Sequence, residues 1–371
     1  MKILFEHIRR EAAKTGVLPF ARFMELALYR PGLGYYETQK DNVGPHGDFY
    51  TSVSTGELFG ELLAFQFAGW LEEIKTISPR LSTLNLIEAG AHDGKLAKDI
   101  LNWLQLNRPE LFGQIQYGII EPSVRRREWQ RETLKQFPNV CWLDSQLSTL
   151  NHQLNGVIFS NELLDAMPVH RFGWDAKNKK WFEWGIAVEG GKFVWAKIQK
   201  SEVGSQKSEL DSLSAICHLP SALLDVLPHD YTIEISPAAE NWWREAANSL
   251  NCGKLLTIDY GFTADEMFSP ARTRGTLRAY YRHHVTDDIL ANAGEQDLTA
   301  HVNFSAIQKA GEETGLKTEM FSTQTKFLTQ ILEKTLKEKS FEWNASRTRQ
   351  FQTLTHPEHL GRAFRVLVQS C

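Results

Sequence analysis

The feature that most constrains this chain is an alternation of short apolar runs, the first of them ending in carboxylates, with stretches of helical spacing. Leu84 to Glu88 is one such run, followed by a helix over Leu96 to Leu106. Tyr117 to Glu121 is the next, followed by a helix that opens at Pro122 and continues to about Phe137. Proline suits a first helical turn because its missing N–H would have no partner there. Val140 to Asp144 and Val157 to Ser160 read as further strands, and Leu255 to Tyr260, Thr276 to Tyr280 and Ala363 to Val368 extend the set. Strands alternating with helices predict a mostly parallel, doubly wound α/β sheet. Right-handed crossovers then carry the strand C-termini to one edge, where ligands of such sheets bind.

Two regions depart from this rhythm. At the N-terminus, Phe5 to Tyr29 has apolar residues at helical spacing and is stopped by Pro31-Gly32 and Gly34; a loop over Gly44 to Ser54 and a helix over Glu57 to Ile74 follow. Further on, Trp181 to Trp184 and Lys192 to Lys197 flank Glu189-Gly190-Gly191, a hairpin signal, and a polar stretch runs from Ser201 to Ser214. Helical spacing resumes over Glu240 to Leu250. The expected organisation is therefore a helical extension with an active-site loop over 1–80, an α/β domain over 81–170 and 237–371, and an inserted lid or substrate-binding subdomain over 171–236.

Composition narrows the class. The net charge of −4 lacks the basic excess of a nucleic-acid binder. The one basic cluster, Arg125-Arg126-Arg127, reads as the solvated face of a helix. No run approaches the roughly 18 apolar residues of a membrane span, and Met1 to Glu11 lacks the apolar centre of a signal peptide. Cys141, Cys217, Cys252 and Cys371 form no CxxC pair, and His283-His284 has no third ligand at suitable spacing, so no metal site or disulfide framework is expected. A cytoplasmic location follows as the expectation, with neither nucleic acid nor membrane as partner.

The chemistry gathers at the strand ends. Glu88-Ala89-Gly90-Ala91-His92-Asp93-Gly94 joins a strand to a helix, and Gly90 and Gly94 permit a tight turn with close backbone approach to a ligand. Glu121, at the tip of the second strand, can accept hydrogen bonds from both hydroxyls of an adenosine ribose, and Asp144 after the third can contact adenine. The glycines are spaced G-x-x-x-G rather than G-x-G-x-x-G, and Asp93 would repel a pyrophosphate. The same carboxylate suits a sulfonium and an ammonium, which favours S-adenosylmethionine over NAD. After the fourth strand comes Ser160-Asn161-Glu162-Leu163-Leu164-Asp165-Ala166-Met167-Pro168-Val169-His170. Glu162 and Asp165 share one face if the turn is helical, and two carboxylates suit a guanidinium.

These residues belong to a wider pattern. Pro19 to Met24, Tyr29-x-Pro31-Gly32-x-Gly34-Tyr35-Tyr36, Gly47-Asp48-Phe49-Tyr50-Thr51-Ser52, Leu58 to Leu62, Asn161 to His170, Ile258 to Gly261, Gly275 to Arg278 and Gly294 to Phe304 together resemble the MidA-like methyltransferases. That family includes a mitochondrial complex I assembly arginine methyltransferase. The resemblance implies a Rossmann-like class I methyltransferase fold with a seven-stranded sheet, S-adenosylmethionine as donor and a protein arginine as acceptor. It implies cofactor contacts from Gly47, Asp48, Thr51, Ser52, Glu88, Gly90, Gly94, Glu121, Asp144 and Asn161, and catalytic roles for Glu162, Asp165 and His170. The partner expected is a protein substrate, and a homodimer is admitted. A small-molecule methyltransferase and a weakly catalytic assembly factor are the competing readings. One departure stands out: the family turn reads E-L-G-P-G-R-G, and here His92 replaces its middle glycine and Asp93 its arginine.

Overall fold

A computed structural model describes residues 2–38, 51–81, 83–143, 147, 153–198, 224–281, 284–338, 341–357 and 360–371. Its largest sheet is built from the expected runs: β1 (Leu84–Ala89), β2 (Ile115–Ile120), β3 (Val140–Leu143), β4 (Leu154–Asn161), β5 (Leu250–Phe262), β6 (Lys317–Thr323) and β7 (Phe364–Ser370). These seven lie in the order β6-β7-β5-β4-β1-β2-β3; among the described residues the sheet carries eight strands, one more than expected. The pairings from β5 through β4, β1 and β2 to β3 are parallel, while β7 runs antiparallel to both β5 and β6. Parallel strands are covered on both faces, and this explains the near-continuous apolar runs of β1 and β4.

The order reverses at β1. The chain goes from β1 outward to β2 and β3, then returns to the other side of β1 as β4. The loops after β1 and β4 therefore diverge above neighbouring strand ends, the usual crevice for a ligand in an open α/β sheet. Helices α1 (Leu58–Ile77) and α2 (Lys95–Asn107) cover one face. Phe59, Leu62, Leu63, Phe67 and Leu71 of α1 are fully buried in a core with Leu86, Tyr117 and Phe159. Each such side chain contributes on the order of 1.5–3 kcal/mol through burial. The third helix, α3 (Val124–Leu134), begins later than expected: Ser123 is its N-cap, accepting from the Arg126 N–H at 3.2 Å, so Pro122 lies before the helix.

The chain divides into two compact units, each made of three segments. The seven strands β1 to β7 belong to the unit of Asp41–Leu164, Trp242–Gly261 and Ile307–Cys371, apart from Phe262 at the end of β5. The other comprises Met1–Lys40, Asp165–Asn241 and Phe262–Ala306. In that unit the opening helical stretch is two helices, Lys2–Thr15 and Phe20–Tyr29, because Gly16 takes a φ of 78° and Leu18–Pro19 enters a sheet. Leu18–Pro19, Lys180–Glu189, His170–Asp175 and Thr232–Ile235 form that five-stranded sheet in this order, with Lys192–Lys197 also paired to Lys180–Glu189. The expected hairpin closes where Glu189 faces Lys192, and both central glycines have positive φ, as such a turn requires.

One expected strand changes place. The Thr276 to Tyr280 run becomes Arg278–Tyr281 and joins a separate antiparallel sheet with His284–Thr286 and Asp297–Thr299. A run this short carries no sign of which sheet it will enter. The Ser201 to Ser214 stretch lies outside the described residues.

Candidate active site

The turn after β1 has the backbone its glycines suggest. Gly90 and Gly94 have φ of 77° and 85°, and the Gly94 N–H closes the turn on the Ala91 carbonyl at 2.7 Å. A side chain at Gly90 would stand 3.0 Å from Leu163 Cδ1, so the turn packs directly on the loop after β4. His92 also takes a left-handed conformation, φ 46°, where the resembled family has glycine. Asp93 Oδ1 accepts the Lys95 N–H at 3.0 Å and so caps the start of α2.

Glu88 and Glu121 are both buried, yet they sit in different surroundings. Tyr117 donates to Glu88 Oε2 at 2.6 Å. Burial nevertheless pushes the Glu88 carboxyl up to about 8, with Asp93 and Asp99 adding to the rise and the Tyr117 bond opposing it. Glu121 is held by polar groups: Oε1 accepts the Ser123 N–H at 2.9 Å, and Oε2 accepts from Gln130 Nε2 at 3.2 Å with the Arg126 guanidinium at 3.6 Å. A carboxylate has about four acceptor sites. Its oxygens can still accept the two hydroxyls of a ribose.

Arg126 and Arg127 correct the reading of the basic cluster as a solvated face. Arg126 is buried beside Glu121, and Arg127 donates to the Glu121 carbonyl at 2.6 Å and the Leu143 carbonyl at 3.2 Å, tying the tips of β2 and β3 together. Of the three, only Arg125 is exposed.

The loop after β4 brings several expected residues together. Ser52 N–H donates to Glu162 Oε1 at 3.3 Å, and Asn161 Nδ2 donates to the same oxygen at 3.0 Å. Asn161 Oδ1 is buried without a hydrogen-bond partner among the described residues. Thr51 caps the short helix Ser52–Thr55, which sets the Ser52 amide. Glu162 has a φ of 52°, and the segment that follows is not helical, so Glu162 and Asp165 do not share a helical face as the spacing suggested. A residue that the sequence marked only as part of the Ile258 to Gly261 motif fixes this loop. Buried Asp259 on β5 accepts the N–H groups of Leu163 and Leu164 at 3.1 and 2.8 Å, and the Glu162 N–H bonds the Ile258 carbonyl at 2.9 Å.

Asp165 and His170 fall in the other unit. Asp165 is buried, and its carbonyl accepts the Ala300 N–H at 2.8 Å. Tyr29 donates to the Ala166 carbonyl and Tyr36 to Asp297 Oδ1, each at 2.8 Å, so motifs far apart in sequence meet there. His170 Nδ1 lies 2.7 Å from Glu183 Oε1 across the sheet. The Gly275-Thr276 motif is explained by Glu234, a buried carboxylate that accepts both the N–H and the hydroxyl of Thr276. Gly47, Asp48 and Asp144 lie outside the described residues.

The strand order and the switch point at β1 define a Rossmann-like α/β fold, with the glycine turn and two buried glutamates at the C-terminal edge of its parallel strands. The chain belongs to the family described as "Putative S-adenosyl-L-methionine-dependent methyltransferase", whose model matches residues 62–322. It is similar to a crystal structure of a superfamily member from Burkholderia thailandensis bound to S-adenosyl-homocysteine, with 30% identity and a TM-score of 0.81 over 100% of this chain and 92% of that one. It is also similar to the mitochondrial protein arginine methyltransferase NDUFAF7 homolog of Drosophila melanogaster, 25% identical over 84% of this chain and 70% of that protein. The NDUFAF7 protein of Xenopus laevis is 25% identical over 98% of this chain and 83% of its own length.

The protein is thus an S-adenosylmethionine-dependent methyltransferase, as the sequence led us to expect. The expected cytoplasmic location is overturned, because these curated relatives are named as mitochondrial proteins. No described helix is long and apolar enough to cross a membrane.

Proposed function

We propose that the chain methylates an arginine side chain of a protein. The observation that carries this reading is Glu162, held in a left-handed backbone at the C-terminal end of β4, with its loop pinned by Asp259 and its carboxylate set by Ser52 and Asn161. A non-glycine residue in that conformation costs on the order of 1–2 kcal/mol, and strain of this kind gathers where a side chain must be aimed.

The cofactor residues fit the donor. Gly90 and Gly94 let the backbone approach it, Glu121 would take the ribose hydroxyls, and the unpartnered Asn161 oxygen would take an ammonium. When bound there, the donor supplies an electrophilic methyl carbon. The remaining work falls to the chain. A guanidinium is a poor nucleophile because its lone pairs are delocalised and its pKa exceeds about 12. Pairing Glu162 with its N–H groups localises electron density on the remaining nitrogen and orients it.

We assign acceptor recognition to the 171–236 segment. Deleting 201–214 should leave S-adenosylhomocysteine affinity nearly unchanged, and a large loss with the fold intact would count against that division. The test of the function itself is product identity. Isotope-labelled methyl groups should be recovered as methylarginine after hydrolysis of labelled protein substrates. Label found only in a small molecule would replace this reading with a small-molecule methyltransferase. The same assay on Asp165→Asn and His170→Gln tests the other two residues expected to serve catalysis.

A further inference from the structure

Gln130 is completely buried on α3, and its amide is fully engaged. Nε2 donates to the His92 carbonyl of the glycine turn at 3.0 Å and to Glu121 Oε2 at 3.2 Å. Its oxygen accepts the Trp142 indole N–H of β3 at 2.8 Å. An amide can usually be turned end for end without changing its shape. Here it cannot, because an indole N–H only donates and must face the amide oxygen. The NH2 group is thereby aimed at the two acceptors, both belonging to the loops after β1 and β2. Gly94 adds a further constraint: a side chain there would stand 3.5 Å from Gln130 Cα, so turn and helix are in close contact at this point.

We propose that Gln130 is a positioning residue for the cofactor, locked by Trp142, which holds the Glu121 carboxylate and the glycine turn at the fixed separation an adenosyl ribose needs. This rests on the reading of Glu121 as the ribose acceptor. Gln130 does not touch the ligand; it acts through Glu121 and the His92 carbonyl. A carboxylate that loses its Gln130 partner keeps one oxygen on the Ser123 N–H but holds the other by the longer Arg126 contact of 3.6 Å, and gains freedom to rotate about its side-chain torsions. Its two oxygens then no longer face the ribose diol together.

The test is affinity for two ligands, S-adenosylhomocysteine and its analogue lacking both ribose hydroxyls, measured by calorimetry on wild type, Glu121→Gln, Gln130→Met and Trp142→Phe. Gln130→Met should weaken S-adenosylhomocysteine roughly 10-fold, the scale of one hydrogen bond to a charged group, and leave the analogue nearly unaffected, so that the preference for the diol collapses. At saturating donor its turnover should stay within about twofold of wild type, since the loss is in binding alone. Trp142→Phe, at a half-buried site, should show a smaller loss of the same diol preference, and the double variant with Gln130→Met, measured alongside, should lose no more than Gln130→Met alone. Trp142→Phe alone reads the coupling if Gln130→Met does not fold. Unchanged diol preference in whichever of these variants folds overturns the positioning role. If Glu121→Gln also keeps the preference, the ribose assignment itself has failed, and the positioning role falls with it.

Discussion

The carboxylate of Asp259 accepts the backbone N–H groups of both Leu163 and Leu164, at 3.1 and 2.8 Å. It thereby fixes the loop that carries Glu162 to a strand far away in sequence. Asp259→Ala should leave both amides without an acceptor and destabilise the protein by at least about 2 kcal/mol, the range for unpaired buried donors. Chemical denaturation checks this. Asp259→Asn keeps one acceptor oxygen and should fall between the two. A wild-type midpoint for Asp259→Ala would mean that the loop is held by something else.

Gly275 and Gly191 make a matched pair, with φ of 72° and 74°. A side chain at Gly275 would stand 2.3 Å from Glu234 Oε1, whereas one at Gly191 would meet nothing within 4 Å. Gly191→Ala should therefore cost only the backbone penalty of about 1–2 kcal/mol. Gly275→Ala should cost clearly more, because it also displaces the buried carboxylate that Thr276 needs. Equal losses in thermal or chemical unfolding would show that contact with Glu234 is not what requires a glycine there.

Glu88 gives a pH dependence of definite sign. Its carboxyl is pushed up from its ordinary 4.5 to about 8 in the folded chain, chiefly by burial. Between those values the folded state holds a proton that the unfolded state has lost. The linkage relation then makes this group's contribution to stability fall as pH rises through that window. Glu88→Gln removes the titration while keeping the shape. It should gain stability relative to wild type at pH 9 compared with pH 5, read as the difference in unfolding free energy. A difference that does not vary with pH would contradict a buried, protonated Glu88.

What the sequence made legible follows from burial. Strands covered on both faces must be apolar along their length, so β1, β2 and β4 stand out, and the carboxylates that close the β1 and β2 runs, Glu88 and Glu121, mark the ligand edge. What stayed hidden depends on partners remote in sequence. Asp259 acts on main-chain groups, which leave no residue pattern, and the requirement for Gly275 appears only once Glu234 is seen beside it. Arg126 resembles its exposed neighbour Arg125 in sequence; it turns inward because Glu121 is buried next to it. The helical face expected for Glu162 and Asp165 fails because Glu162 adopts a left-handed backbone, and a glutamate gives no sign of that in a sequence.

The central claim is that Glu162 acts on the methyl acceptor and not on the donor. Its most direct test is to compare wild type and Glu162→Gln by calorimetry with S-adenosylhomocysteine and by single-turnover transfer of labelled methyl to an arginine-bearing protein substrate. The variant should fold, bind S-adenosylhomocysteine within a few-fold of wild type and lose roughly 10²-fold or more in transfer rate, the scale of removing one preorganised electrostatic partner. Transfer at the wild-type rate, or a loss confined to S-adenosylhomocysteine affinity, would contradict it.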